Sequence, residues 1–135
     1  MNTDIVRLVQ ESMEKMGCGD AVAGKLDAHS PICIGFHSMP EMYVELDNGN
    51  VIFTSQLDYR GAAQLERVAA DLLSYLLPRG SDVFVCRRPL LSLVDSDLVL
   101  HARVEERFTE NPETFTQALE AFYEELCAIS EILGR

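Results

Sequence analysis

Apolar and polar residues alternate in two short runs in the first third of the chain. The apolar positions are Ile32, Ile34 and Phe36, then Met42, Val44 and Leu46. Period-two alternation is typical of strands with one buried and one exposed face. Pro40 lies between the runs and cannot donate a backbone hydrogen bond to a sheet. The pattern therefore predicts two strands, at about 32–37 and 42–46, joined as a hairpin or the start of a meander.

Three further strands are predicted by the same alternation. One covers residues 51–57 after an Asn-Gly pair, which tolerates the positive φ that tight hairpins require. The next covers 83–86, where Pro89 indicates a bent or edge strand that residues 90–94 continue. Residues 98–104 form the last. The five strands are expected to make a mostly antiparallel, twisted sheet.

Helical spacing marks two amphipathic segments on either side of the first three strands. The first helix is predicted over residues 3–16, with Val6 beside its apolar stripe. The second is predicted over 61–77, and Tyr75 and Leu77 make its stripe wider than one sheet face needs. The two stripes consist of Ile5, Leu8, Val9, Ser12, Met13 and Met16, and of Leu65, Val68, Ala69, Leu72, Leu73 and Leu76.

The last helix begins at an Asn-Pro pair, residues 111–112, because Asn caps helices and Pro suits the first helical position. Its apolar seam is Phe115, Leu119, Phe122, Leu126, Ile129 and Leu133. The element order is α-β-β-β-α-β-β-α, which predicts an α+β fold with helices flanking a mostly antiparallel sheet. No linker or repeat interrupts it, so residues 1–135 are expected to form a single domain.

Charge narrows the choice of partners. The 135 residues carry 22 Asp and Glu against 11 Lys and Arg, a formal net charge of −11. Such a field repels phosphate backbones and anionic lipids, which argues against nucleic acid as a partner. No apolar run approaches the roughly 20 residues of a membrane span, so we expect no membrane insertion.

Four cysteines, Cys18, Cys33, Cys86 and Cys127, are scattered along the chain. None has a Cys or His neighbour at the spacing of a metal site, and the N-terminus has no secretory signal pattern. This predicts reduced thiols in a cytoplasm, with neither a metal nor a cofactor.

One cluster of chemically capable residues gives a competing hypothesis. Asp27, His29 and Ser30 lie within four positions. Neighbours in one loop seldom converge on a common atom, so turn-forming hydrogen bonds explain them better than catalysis does. The alternative is a small α+β ligand-binding domain or enzyme that uses Asp27, His29 and a cysteine, Cys33 or Cys86.

Two motifs in the first strands resemble a known family. They are Leu-Asp-Ala-His-Ser-Pro-Ile-Cys-Ile at 26–34 and Ser-Met-Pro-Glu-Met-Tyr-Val at 38–44. Together with Leu8-Val9, the Met-Gly-Cys at 16–18 and the tail at 115–123, they resemble the broad-specificity, class IB, type III secretion chaperones. The resemblance extends over nearly the whole chain.

That resemblance implies a fold, a function and a cellular setting. Chaperones of this class are bacterial cytoplasmic homodimers without enzymatic activity. They bind the N-terminal segments of secreted effectors in an extended, secretion-competent form wrapped around the dimer. The secretion ATPase is a further candidate partner.

Two sets of candidate site residues follow from these patterns. The first helix and the first strands are expected to receive the client, while the wide stripe of the second helix and the bent strand are expected to pack on a second copy. The partner-binding candidates are Val6, Val9, Ile32, Ile34 and Phe36. The dimer-interface candidates are Leu65, Val68, Leu72, Leu76 and Phe84.

Overall fold

A computed structural model describes residues 4–23 and 30–135. The helices are α1 (Ile5–Lys15), α2 (Ala62–Leu76) and α3 (Pro112–Leu133). The strands are β1 (Val22–Ala23), β2 (Ile32–Ile34), β3 (Met42–Asp47), β4 (Asn50–Gln56), β5 (Leu90–Val94) and β6 (Asp97–Arg103). They form one antiparallel sheet in the order β1-β2-β3-β4-β6-β5. The predicted α+β class and order of elements are confirmed, with the short β1 in addition.

The sheet buries one face and leaves the other partly open. Alternate residues of β3 are buried, and the residues between them are exposed or half-buried. The same alternation holds in β4 and β6. On the buried face, the Phe53 ring lies edge-on to the rings of Phe115 and Phe122, at 5.6 and 5.5 Å between centroids. Helix α3 therefore covers the centre of the sheet, and α1 and α2 each pack against α3.

Local sequence signals account for the helix ends. Asn111 caps α3, accepting a hydrogen bond from the backbone N–H of Thr114 at 3.0 Å, and Pro112 is the first helical residue, as predicted. Helix α1 is capped by Asp4, which accepts from the N–H of Arg7 at 3.2 Å. The predicted start at residue 3 lies outside the described residues. None of the described helices is long and apolar enough to cross a membrane.

The strand predicted at 83–86 is wrong in position. Phe84 makes a single bridge to Val104, and a 3-10 turn follows in which Cys86 and Arg87 both have φ of 65°. Two successive residues in the left-handed region cannot continue an extended strand. Strand β5, predicted as the continuation of the segment 83–86, therefore takes the place of the fourth predicted strand.

Strand β1 was missed because it has only two residues, inside a segment predicted to be a loop. Val22 pairs with Ile34, and Ala23 pairs with Cys33. A hydrogen bond from the Gly35 N–H to the Ala21 carbonyl, at 2.8 Å, extends this pairing. Strand β2 therefore has a neighbour on each side at its C-terminal end.

A buried polar contact fastens α2 to α3. The carboxylate of Glu125, only 6% exposed, accepts hydrogen bonds from Tyr75 Oη at 3.0 Å and Arg79 Nε at 2.9 Å. Burial, followed by the bond to Glu125, raises the pKa of Tyr75 to about 12. Because a buried carboxylate is costly without partners, these bonds fix how α2 sits on α3.

Candidate functional site

An apolar groove of 420 Å³ lies where α1, β2 and α3 meet. Its floor includes Ile34 of β2 and Met42 of β3, which are each 1% exposed. The remaining apolar lining comes from the end of α1, the turn after it, the two residues that follow β2 and the middle of α3: Met13, Met16, Cys18, Ala21, Gly35, Phe36, Leu119 and Tyr123. Three methionines give this surface flexible, polarizable side chains that adapt to differently shaped ligands. The groove has the volume and apolar character of a site for a side chain or small apolar ligand.

An aromatic pair forms one side of the groove. The rings of Phe36 and Tyr123 are 4.6 Å apart at an interplanar angle of 55°. Tyr123 is 37% exposed and Phe36 is half-buried, so the pair keeps part of its surface open to solvent. A hydrogen bond with Cys127 raises the pKa of Tyr123, which keeps this ring neutral. The pair offers a rigid apolar surface beside the methionines.

The predicted partner-binding residues divide into two groups by burial. Val9, Ile32 and Ile34 are 0%, 3% and 1% exposed and belong to the core of the protomer. Their burial follows from the alternation of β2 and the stripe of α1. Val6 and Phe36 are half-buried against that core. Of the five, the structure places Ile34 and Phe36 in the groove, and it leaves Val6, Val9 and Ile32 out of the lining.

The residues predicted at a dimer interface are also mostly interior. Val68, Leu72 and Phe84 are 1%, 6% and 2% exposed, because α2 turns this stripe toward its own protomer and Phe84 packs edge-on to Phe122. Leu65 and Leu76 are half-buried. These five side chains fill the protomer interior before any second copy is considered.

A second apolar surface was missed, and we call it the leucine flank. Leu73 and Leu77, on the solvent side of α2, are 56% and 69% exposed. On the edge strand β5, Leu93 is 57% exposed and lies on the helix-covered side of the sheet, opposite buried Leu98, whereas Val94, 53% exposed, points to the other face. The sequence did contain a signal, since Leu77 widens the stripe of α2, but periodicity alone did not separate the buried leucines from the exposed ones.

The open face of the sheet carries a small polar cluster around Glu41. Its carboxylate accepts hydrogen bonds from Cys33 Sγ at 3.3 Å and Tyr43 Oη at 3.1 Å. Partial burial, followed by the bond to Glu41, raises the pKa of the Cys33 thiol, which disfavours the thiolate. Cys33 points away from Ile32 and Ile34, as the alternation predicts. Asp27 and His29, the other residues of the enzyme alternative, lie outside the described residues.

A metal site needs several His, Cys, Asp or Glu side chains close together. Across 4–23 and 30–135, no group of three or more His, Cys, Asp or Glu side chains is placed to hold a metal ion. His101, on the open sheet face, contacts Ser92 Oγ through Nε2 at 2.8 Å. The apolar groove, which is concave and has a few polar groups at its edge, has the features of a binding site.

Comparison with known proteins agrees with the resemblance seen in the motifs. Over 132 residues the chain is 28% identical to the "Surface presentation of antigens protein SpaK" of Salmonella typhimurium, and likewise to that of Salmonella typhi. These alignments cover 98% of this chain and 97% of each relative. The model of the invasion protein B family matches residues 17–95, which include β1 to β5 and α2. The chain therefore belongs to the invasion protein B family, a family associated with type III secretion.

Proposed function

We propose that this protein is a type III secretion chaperone that binds the N-terminal segment of secreted effectors in an extended form. The observation that carries the proposal is the methionine-lined groove between α1, β2 and α3. An effector segment held outside its own fold exposes apolar side chains, and these need a surface that covers them without enclosing a complete domain. A groove that is open along one side covers such side chains without enclosing a domain.

The energetics favour binding through a few anchors. Burying one large apolar side chain contributes about 1.5–3 kcal/mol, and Phe36 and Tyr123 provide aromatic surface for such an anchor. An extended segment loses conformational entropy on binding, so several anchors are needed for a stable complex. Those anchors must lie along a surface longer than one groove, and a second copy of the chain would supply a second groove.

The proposal therefore includes a homodimer. Leu73 and Leu77 of α2 and Leu93 of β5 expose more than half of their surface on the leucine flank. β5 is the edge of the sheet, bonded among the described strands only to β6. An unpaired strand edge and exposed leucines each favour pairing between identical copies. Leu65 and Leu76 would lie at its inner margin.

The same proposal assigns no catalysis to the chain and places it in the bacterial cytoplasm. The family association with secretion supports a role before export, and the net charge of −11 keeps a loaded complex soluble. The secretion ATPase remains a candidate partner for delivery.

The experiment is co-expression of the tagged chain with N-terminal segments of proteins exported by the same type III apparatus. We expect at least one segment to co-purify and to become protease-resistant in the complex. The double variant Met16→Ala, Tyr123→Ala truncates the groove without adding charge. It should weaken the complex about 30-fold, which corresponds to about 2 kcal/mol at an interface hot spot.

A matched control removes two half-buried apolar side chains from the other face of the sheet. Ile52→Ala, Val99→Ala makes a comparable truncation on strands β4 and β6, away from the groove. It should leave affinity within about threefold, while circular dichroism monitors the fold of both variants. Equal losses in the two variants, or no captured segment at all, would contradict the proposal.

A further inference from the structure

The groove has a charged rim of one sign. Glu120 and Glu124 of α3 line it one helical turn apart, on either side of Tyr123. Among the described lining residues there is no Lys or Arg, and the exposed imidazole of His37 is the one basic side chain. Asp20 adds a third exposed carboxylate on the 3-10 turn that supplies Ala21 to the lining. A purely apolar ligand would leave these carboxylates without an interaction partner.

Neither rim glutamate forms an ion pair among the described residues, although Glu124 lies close enough to Arg79 to add to the effect of Glu125 in raising the pKa of that guanidinium. The ion pairs there join other residues, and the exposed acids near α1 and at the end of α3 are already paired: Glu11 with Arg7, Glu113 with Lys15, and Glu131 with Arg135. Glu120 and Glu124 make no ion pair of this kind. Both carboxylates are exposed to solvent, so each can accept a hydrogen bond from a bound molecule.

The chemistry at the rim favours arginine over lysine. A guanidinium can lie on an aromatic face within about 6 Å while its N–H groups bond a carboxylate. Tyr123 supplies the exposed ring, and Glu120 and Glu124 supply carboxylates one helical turn apart. A lysine ammonium interacts with one such group as a point charge and lacks the planar stacking surface.

We propose that the groove recognises a two-part signal in its client: a large apolar side chain that enters the groove, and an arginine nearby that binds Glu120 or Glu124. In an extended segment the arginine lies within about three residues of the anchor, since each residue advances the chain by about 3.3 Å. This inference rests on the proposed function and adds the sequence class of the bound segment.

The test uses a random peptide library displayed on phage and selected against the purified full chain. Selection on the wild type should enrich sequences with an arginine within about three residues of Leu, Met or Phe. Selection on Glu120→Gln, Glu124→Gln should keep the apolar residue and lose the arginine. Glu106→Gln, Glu110→Gln removes the same charge from exposed positions away from the groove, and it should select as the wild type does.

Titration of one selected peptide and of its Arg→Gln version then measures the contact. The rim variant should bind the arginine peptide about twofold to fivefold more weakly, the range of a partly exposed ion pair. The Gln peptide should bind wild type and variant alike. Because rim charges act mainly on encounter, the difference should appear in the association rate and fade at high salt.

The outcomes separate the two proposals. If Met16→Ala, Tyr123→Ala abolishes selection while the rim variant selects the same peptides as its control, the groove binds apolar segments and the arginine contact is wrong. If neither variant changes the selected sequences, or no sequence is enriched over a blank surface, the proposed site is wrong as well.

Discussion

The groove and the leucine flank are built from the same kinds of residue and differ in shape. In the groove, Ile34 and Met42 form a nearly inaccessible floor, and the aromatic pair stands beside it. On the flank, Leu73 and Leu77 protrude from α2 with more than half of their surface in water. A concave apolar surface covers a single side chain, whereas a protruding one needs a broad complementary face.

Charge separates the two surfaces further. The groove is bordered by the carboxylates of Glu120 and Glu124, and its lining contains no Lys or Arg among the described residues. The leucine flank is defined by exposed Leu and Val side chains. Hydrophobic centres with polar rims are typical of surfaces that bind transient partners. The flank more closely resembles obligate homodimer interfaces, which are more apolar. The comparison teaches that one small protomer carries two apolar surfaces whose shape and charge suit different kinds of partner.

The largest effect is expected where the groove and the core coincide. Ile34 lines the groove but is 1% exposed, so Ile34→Asp places a carboxylate in an apolar interior. We expect a loss of about 4 kcal/mol or more in the free energy of unfolding, a large part of the total for a domain of this size. Urea denaturation followed by circular dichroism measures it.

The neighbouring position provides the control for that substitution. Cys33 points to the open sheet face, so Cys33→Ser should change the free energy of unfolding by less than about 1 kcal/mol. A folded Ile34→Asp protein of wild-type stability would contradict the assignment of Ile34 to the core. The floor would then be a ligand surface alone.

The next effect tests the flank. Leu73→Asp, Leu77→Asp should dissociate the homodimer while each protomer stays folded, because both side chains lie largely outside the core. If each leucine is an interface hot spot worth about 2 kcal/mol, losing one raises the dissociation constant about 30-fold, and losing both raises it about 1,000-fold if the two effects add. Light scattering at micromolar concentration measures the mass, and Ser74→Asp, an exposed position on the same helix, is the control. A monomeric wild type would remove the flank from the dimer proposal.

The sequence predicted the elements well because their signals are local. Period-two alternation located β3, β4 and β6, and the Asn-Pro pair located the start of α3. The segment 83–86 failed because its positive φ angles at Cys86 and Arg87 depend on the path of the loop, which periodicity does not encode. β1 failed because two residues are too few to show a period.

The candidate site could be predicted only in part, since a groove is a property of packing. Ile34 and Phe36 were found because alternation placed them in one strand. Met13 and Leu119 are more than 100 residues apart and meet only when α1 lies against α3. The sequence does not place Glu120 and Glu124 beside the groove, because that position depends on which face of α3 meets α1 and β2. Apolar patterns predict which residues are buried, but they do not predict where neighbouring elements leave an unfilled groove between them.

The smallest expected effect tests the hydrogen bond between Tyr75 and Glu125, which attaches α2 to α3. Tyr75 has its pKa raised to about 12 by burial and by its bond to Glu125. Below about pH 10, the ordinary tyrosine pKa, Tyr75 is neutral in both folded and unfolded chains and adds no pH dependence. Between about pH 10 and about pH 12 the unfolded chain ionises first, so the folded state loses stability as pH rises. Tyr75→Phe removes this contribution, and its urea midpoint should fall less steeply than that of the wild type between about pH 10 and about pH 12. Tyr43 and Tyr123 are present in both proteins, so their ionisation cancels in the difference. Identical slopes would show that the pKa of Tyr75 is not raised in the folded chain, and the attachment of α2 would then depend on the Arg79–Glu125 contact and on the packing of Val68 and Leu72.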